Sequence, residues 1–405
     1  MAVTFPVGFR AGTAACGIKA FTAGAAAIPT GQRDDLCVVH SSLPCDTGGV
    51  FTTNKIKSAS VVIDQLHLQH NRVQALVINS GNANACTGAQ GFKDALQMAK
   101  LTADRLDLDP DQVLVSSTGV IGRYLPMDAV KAGIAIACGG MSPDRGTEAA
   151  RAIMTTDKVA KIATKEIEIG GRRVRIGGMC KGSGMIHPNM ATMLAYITTD
   201  AAVEPGLMAM FAKPVADLSF NQVTVDGDSS TNDTFLVLAN GAAGNDMVRR
   251  GTSDARALET AIVEVARELA RAIARDGEGA SRMIAVRVHG AESDDEARTA
   301  ARAVASSSLV KTAVHGGDPN WGRIVCALGY SGAELALDKL HLSIGGLVVF
   351  ERGAGVDVDL AAVRRAFEQP EIEIVATLGM AEGHAEAWGC DLSEEYVRIN
   401  AEYTT

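Results

Sequence analysis

Two pairs of adjacent glycines, each set between runs that alternate apolar and polar residues, restrict what this chain can fold into more than any other feature. They stand in "EIEIGGRRVRI", at Gly170-Gly171, and in "LHLSIGGLVVF", at Gly345-Gly346. Glycine alone takes the positive φ of a two-residue hairpin at little cost, so each pair predicts two antiparallel strands. One hairpin falls in each half of the chain, a pattern that suggests structural duplication. Helical patterns accompany them. Residues from Gly91 to Leu108 repeat apolar positions at helical spacing (Ala95, Leu96, Ala99, Ala103, Leu106) and stop at Asp109-Pro110, before a strand at Val113-Leu114-Val115. That strand runs into "SSTGVIG", which puts Thr118 and Gly119 at its carboxyl end. Ser253 to Arg275 carries the stripe Leu258, Ile262, Val265, Leu269 and Ile273, with Ser253 or Asp254 as the expected cap, and "DGEGASR" leads on to a strand from Met283 to Val288. Hairpins intermixed with helices point to α+β rather than a doubly wound parallel sheet. With 405 residues, 47% of them hydrophobic, the chain exceeds what one core usually serves, and two lobes are expected.

Charge and cysteine usage narrow the partners. A formal net charge of -9 argues against a nucleic-acid surface, which would gather Lys and Arg on one face, and favours a small polar metabolite. The eight cysteines stand singly, with no C-x-x-C pair to suggest zinc or a redox dithiol, so reduced thiols are expected, and Cys180 reads as a buried thiol. The first twenty residues lack the apolar run of a signal peptide, and no apolar stretch is long enough to span a bilayer, from which a cytoplasmic location is expected. There is no G-x-S-x-G, H-E-x-x-H, P-loop or G-x-G-x-x-G after a strand. "VDGDSSTNDTFLV" begins like a calcium loop at Asp226 and Asp228, but Thr231 stands where that loop needs glycine and Val237 where it needs glutamate. It reads as a polar turn that could line a substrate.

In "KGSGMIHPNMATMLAYITTD", residues 181–200, a glycine-rich approach meets an apolar run at Ala191-Thr192. A threonine hydroxyl is a poor nucleophile unless a base stands beside it. Making the threonine a chain's first residue supplies one, because its own α-amino group, with an ordinary pKa of about 7.7–8.0, can take the hydroxyl proton. An internal threonine reaches that state when its hydroxyl attacks the preceding carbonyl and the resulting ester is hydrolysed. Gly182, Gly184 and Pro188 suit the unusual backbone such a reaction needs. An ordinary strand threonine is the competing reading.

Neighbouring motifs shift the balance. "VSSTGVIGR", "AIMTTD", "KGSGMIHPNMATML", "SFNQVTVDGDSSTND", "RDGEGASR", "DPNWGRI" and "CDLSEEYVRINAEYTT", in this order over essentially the whole chain, resemble the ornithine acetyltransferase family, also called bifunctional glutamate N-acetyltransferase. The resemblance implies a two-lobed αββα-type sandwich of the ornithine acetyltransferase and L-aminopeptidase type. It implies self-cleavage between Ala191 and Thr192 into an α chain (1–191, with the oxyanion hole) and a β chain (192–405, with the nucleophile and a C-terminal substrate-binding lobe), assembled as an α2β2 heterotetramer. Thr192 would take the acetyl group of N-acetylornithine, release ornithine, and pass the acetyl to glutamate, in arginine biosynthesis. Acetyl-CoA is an open second donor, and no cofactor or metal is implied. Thr118 and Gly119 match the family's oxyanion hole, and Thr155, Lys181, Thr192, Glu278, Asn400 and Thr405 its substrate contacts. Asn221, Asp226 and Asp228 are candidates for positioning roles. The chain departs from the family pattern at "KVAK", after the "TTD" match, and at "HGG", before "DPNWGR". A self-processed aminopeptidase or amidase, and an uncleaved amino-acid-binding protein, stay open as alternatives.

Overall fold

The structure is a computed structural model that describes residues 1–19, 34–70, 72–187 and 193–402. Two sheets organise it. The first has eight strands: β1 (Phe9–Ala14), β2 (Leu36–Phe51), β3 (Val73–Asn82), β4 (Val113–Val120), β5 (Lys161–Ile169), β6 (Arg172–Lys181), β7 (Leu194–Thr199) and β8 (Thr234–Ala239). Their order is β4-β3-β2-β8-β7-β6-β5, with β1 paired to β2. The second has six, in the order β12-β11-β10-β13-β9-β14, from β9 (Met283–Ala291), β10 (His341–Ile344), β11 (Leu347–Glu351), β12 (Ala354–Gly355), β13 (Glu371–Thr377) and β14 (Gly383–Cys390). The α+β class and the two lobes are those expected.

Strand β2 explains the layering of the first lobe. It is 16 residues long; its first half pairs with β1 and β3, and after an irregularity between His40 and Cys45 its second half pairs with β8. The sheet thereby folds back on itself. Val38 and Val77 face helices α1 (Ala59–His67), α2 (Gly88–Leu106) and α3 (Met127–Gly139), while their neighbours Val39, Leu76 and Ile78 meet Met179, Tyr196 and Leu236 of the opposite layer, beside α4 (Gly146–Ala152). The far face of β7 and β8, with Ala195, Ile197, Phe235 and Val237, packs under α5 (Leu207–Asp217) and α6 (Ser253–Arg275). Alternate residues of one strand thus fill two cores, as a period of two requires. The result is the expected helix-sheet-sheet-helix sandwich.

Helix α6 has the predicted bounds, and its stripe from Leu258 to Ile273 is buried. Its cap is Thr252, one residue before the expected Ser253 or Asp254: the threonine Oγ1 accepts the amide of Ala255 at 3.2 Å. Helix α2 begins three residues before the expected start and ends at Leu106, where Asp107 turns left-handed. Both glycine pairs make hairpins, with φ of +57° and +72° at Gly170-Gly171 and +55° and +80° at Gly345-Gly346. They lie in different sheets whose strand orders differ. In the second lobe α7 (Asp294–Ser306), α8 (Ser308–Gly316), α9 (Trp321–Gly329) and α10 (Leu360–Phe367) pack into one apolar cluster with β9, β10 and β13. Helix α11 (Glu394–Glu402) follows β14. Met283, Ala285, Trp388 and Cys390 join the core beneath α6, so that helix serves both lobes.

Candidate active site

A cleft of about 230 Å³ opens where β4, β6 and α11 converge. This is below the ~300–1,000 Å³ of sites for drug-sized ligands and suits a molecule the size of an amino acid. Thr118, Gly119, Thr155, Lys181, Asp226, Asp228, Glu278 and Asn400, all singled out from the sequence, line it together with Tyr396. Asn221 is elsewhere, with its side-chain amide donating to Asp217. Ala191, Thr192 and Thr405 lie outside the described residues.

Thr118 and Gly119 occupy the carboxyl end of β4, in register with Ser80 and Gly81 of the parallel strand β3. Gly119 has φ +130°, and a Cβ there would stand 2.2 Å from the Gly81 carbonyl carbon. Only glycine fits, because that angle is disfavoured for side-chain-bearing residues and the neighbouring strand leaves no room. A buried polar mesh holds this corner: Ser117 donates to Asn79, and Asn232 donates through Nδ2 to the carbonyls of Ala83 (2.6 Å) and Ser117 (2.8 Å).

Lys181 ends β6, opposite Leu194 of β7. It is 4% exposed, and its Nζ donates to Thr118 Oγ1 across the two β layers, at 3.3 Å. Because that bond uses the hydroxyl's lone pair, the Thr118 hydrogen stays available to donate. Burial pulls the lysine's pKa down, and Lys161 adds to this, while Asp157, Glu278 and Asp233 pull the other way. A desolvated amine held this way is a strong partner for an anion entering the cleft.

Beneath Lys181 is a cluster that sequence reading did not single out. Lys161 donates to Asp157 and Asp276, both at 2.6 Å, with all three side chains buried. Burial alone would raise Asp157, but Lys161 and Lys181 hold it down to about 2. Its carboxylate also accepts the amides of Thr155 (3.1 Å) and Gly182 (2.8 Å), and Asp276 accepts those of Lys158 and Val159. The cluster therefore pins the "MTTD" and "KGSG" loops to the end of α6. Asp157 and Asp276 sit inside the quoted motifs "AIMTTD" and "RDGEGASR", but nothing local says that Lys161 joins them.

Glu278 follows on the same turn, with its amide donating to Ser183 O (2.9 Å) and its Oε2 accepting Asn400 Nδ2 at 2.9 Å. A Cβ at Gly184 would meet this carboxylate at 2.3 Å, so the spacing of "KGSG" is a matter of room. Ser393 Oγ donates to Gly279 O at 2.7 Å, which ties down the C-terminal helix that brings Tyr396 and Asn400 to the cleft. The C-terminal helix is thus anchored over the described residues. Asp226 accepts the amides of Met185 and Ile186, and Met185 has the left-handed φ of +56°. Burial raises Asp226 to about 6 against those amides. Cys180 is fully buried, and burial pushes its thiol up, so it is no nucleophile. All eight cysteines are free, and among the described residues no group of His, Cys, Asp or Glu could hold a metal and no helix is long and apolar enough to cross a membrane.

The ArgJ family profile matches residues 11–405. The arginine biosynthesis bifunctional protein ArgJ of Symbiobacterium thermophilum is 49% identical over 403 residues, covering 100% of this chain and 98% of that protein. The protein of the same name from Dehalococcoides mccartyi is 46% identical over 403 residues, covering 100% and 97%. A solved structure of ornithine acetyltransferase complexed with ornithine, from Mycobacterium tuberculosis, is 37% identical with a TM-score of 0.39, covering 48% of this chain and 96% of that one. A match that spans nearly the whole chain, at close to half identity with full-length relatives, leaves one assignment: the chain belongs to the ArgJ family.

Proposed function

We propose that this chain is a glutamate N-acetyltransferase of the ornithine acetyltransferase type, which moves the acetyl group of N-acetylornithine to glutamate through an acetyl-threonine in arginine biosynthesis. The observation that carries the reading is the convergence of Thr118, Gly119, Lys181, Glu278 and Asn400 on one cleft, in a chain whose full-length relatives are bifunctional proteins of arginine biosynthesis. Thr192 is the nucleophile. Cleavage before it frees an α-amine that takes the hydroxyl proton during attack. The Thr118 hydroxyl and the Gly119 amide receive the oxyanion of each tetrahedral intermediate, a role in which one donor is commonly worth about a hundred- to a thousandfold in rate. Lys181 meets the substrate α-carboxylate, and Glu278 meets the ornithine side-chain ammonium. Thr155, Asn400 and Thr405 complete the substrate contacts.

The α chain 1–191 and the β chain 192–405 remain together after the cut because the two strands that follow it sit between strands that precede it in one sheet: β6 pairs with β7, and β2 with β8. The α2β2 assembly and the use of acetyl-CoA as a second donor belong to the same proposal, as does a cytoplasmic location.

Intact-mass analysis before and after incubation with N-acetylornithine alone tests it. Two fragments split before residue 192, with one acetyl group gained by the C-terminal fragment, are expected; a single species near 42.1 kDa or an acetyl on another side chain overturns it. Adding glutamate should give acetylglutamate with little free acetate, whereas an amidase releases acetate. Thr192→Ala should yield a full-length chain without transfer activity.

A further inference from the structure

No step of the proposed transfer uses the motif "HGGDPNWGR", whose first residue, His315, stands where the chain departs from the family pattern. His315 is in the last turn of α8, and its ring lies between two carboxylates, one just before α11 and one at its first residue. Nδ1 is 2.8 Å from Asp391 Oδ2, and Nε2 is 3.2 Å from Glu394 Oε2. Carboxylates only accept, so the ring donates from both nitrogens. Asp391 is itself a hub. Its fully buried side chain accepts the amides of Ser281 (2.8 Å) and Arg282 (2.9 Å) and the hydroxyl of Ser281 (2.6 Å), and its own amide donates to Arg282 O at 3.1 Å. Burial would raise this carboxyl, but the bonds from Ser281 and His315 hold it below the ordinary carboxylate range. Arg282 closes the circuit, with its guanidinium donating to the carbonyls of Val314 (3.2 Å) and His315 (3.0 Å).

This circuit forms one end of a polar ladder whose other end is the substrate cleft. The turn after α6 faces the segment 391–400, with rungs from Asp391 to Ser281 and Arg282, from Ser393 Oγ to Gly279 O (2.7 Å), and from Asn400 Nδ2 to Glu278 Oε2 (2.9 Å). None of the nine described residues of α11 is buried, so no apolar face seats the helix and polar contacts set its position. Backbone bonds hold residues 391 and 392, to Arg282 O and Lys311 O. The bond from His315 to Glu394 carries that hold onto the helix itself. We infer that His315 is a positioning residue for α11: by bridging Asp391 and Glu394 it fixes the start of the helix, and with it the place of Asn400 against Glu278, where, on the proposed function, the ornithine ammonium binds. At roughly 1.5 Å per residue, Asn400 stands about 9 Å beyond Glu394 along the axis. A tilt at the start therefore displaces its amide from Glu278.

His315→Ala should still fold and cleave, because the ring is 32% exposed and the backbone bonds of residues 391 and 392 remain. At saturating glutamate its KM for N-acetylornithine should rise about five- to tenfold, a fraction of what one hydrogen bond to a charged group is worth, with kcat within roughly twofold of wild type. His315→Asn places an amide nitrogen where Nδ1 stands and should recover most of that loss. Wild-type KM in the alanine variant overturns the inference. So does a fall in kcat that matches the rise in KM, which marks general damage to the fold. An asparagine variant no better than the alanine one also refutes it. Should the alanine variant not fold, Glu394→Ala decides: this side chain is 93% exposed, and its loss leaves the Asp391 hub intact. Its KM should rise about two- to threefold, the scale of an exposed ion pair, and an unchanged KM refutes the bridge. A wild-type chain that takes no acetyl group from N-acetylornithine sinks the proposed function itself, a result distinct from any of these.

Discussion

Two ion networks touch helix α6 and are built on opposite terms. At its carboxyl end Asp276 joins Asp157 and Lys161, with side chains 7%, 0% and 0% exposed. Along its flank Arg267, Arg271 and Arg275 reach Glu386 and Glu371 of the second sheet, with the arginines between 28% and 59% exposed. The buried triad gives up hydration of three charges and regains it as ion pairs and four backbone hydrogen bonds to the loops that carry Thr155 and Lys181. The exposed ladder keeps its water and joins two lobes whose cores already meet beneath the helix. The difference teaches where a charge is structural adhesive and where it is the device that fixes a site: buried ionic groups are expensive to break and specify one arrangement of their neighbours.

Breaking the triad should have the largest effect. Lys161→Met leaves two carboxylates buried without their cation and should cost about 3–5 kcal/mol in denaturant unfolding; a loss under ~1 kcal/mol would put the triad on the same footing as the ladder. Lys181→Met sharpens the contrast, because this buried cation has a hydroxyl and no carboxylate as its hydrogen-bond partner. Its loss should lower kcat/KM roughly ten- to a hundredfold, the worth of one hydrogen bond to a charged group, with unfolding stability unchanged or raised.

Acid separates the carboxylates next. Asp157, held down to about 2, adds stability that is fully present above about pH 4 and is lost as pH falls toward 2. Asp226, raised to about 6, works in the reverse sense: the folded state takes up its proton first, so its contribution grows as pH drops from about 6 toward 4. Urea midpoints from pH 7 to 2.5 should show both slopes, with Asp157→Asn flattening the lower and Asp226→Asn the upper. The smallest change belongs to the ladder, where Arg271→Ala should cost less than about 1 kcal/mol, an effect that added salt shrinks further.

Local patterns account for much of what could be read in advance. The two hairpin turns, the body of α6 and the strand before Thr118 each depend on residues within a few positions of one another. The cap of α6 falls one residue before the expected position because Thr252, Ser253 and Asp254 are all capable, and only the backbone φ and ψ choose among them. The resemblance supplied a roster of cleft residues, eight of which meet around one space, while Asn221 does not. No local pattern marks Lys161, Tyr396 or Asp233. Lys161 reads as an ordinary strand lysine, and its partner Asp276 is 115 positions away.

From the sequence alone came the class of fold, two lobes, the hairpins and the threonine chemistry that a cut before residue 192 would permit, since each follows from short-range sterics, periodicity or the reactivity of one side chain. The folded chain decided that β2 belongs to two layers, that Lys181 crosses between them to reach Thr118, and that Asp233 accepts the amide of Met193. Those facts depend on which distant segments share a buried space, where the loss of water makes each charge and hydrogen bond count, and no stretch of sequence encodes that by itself.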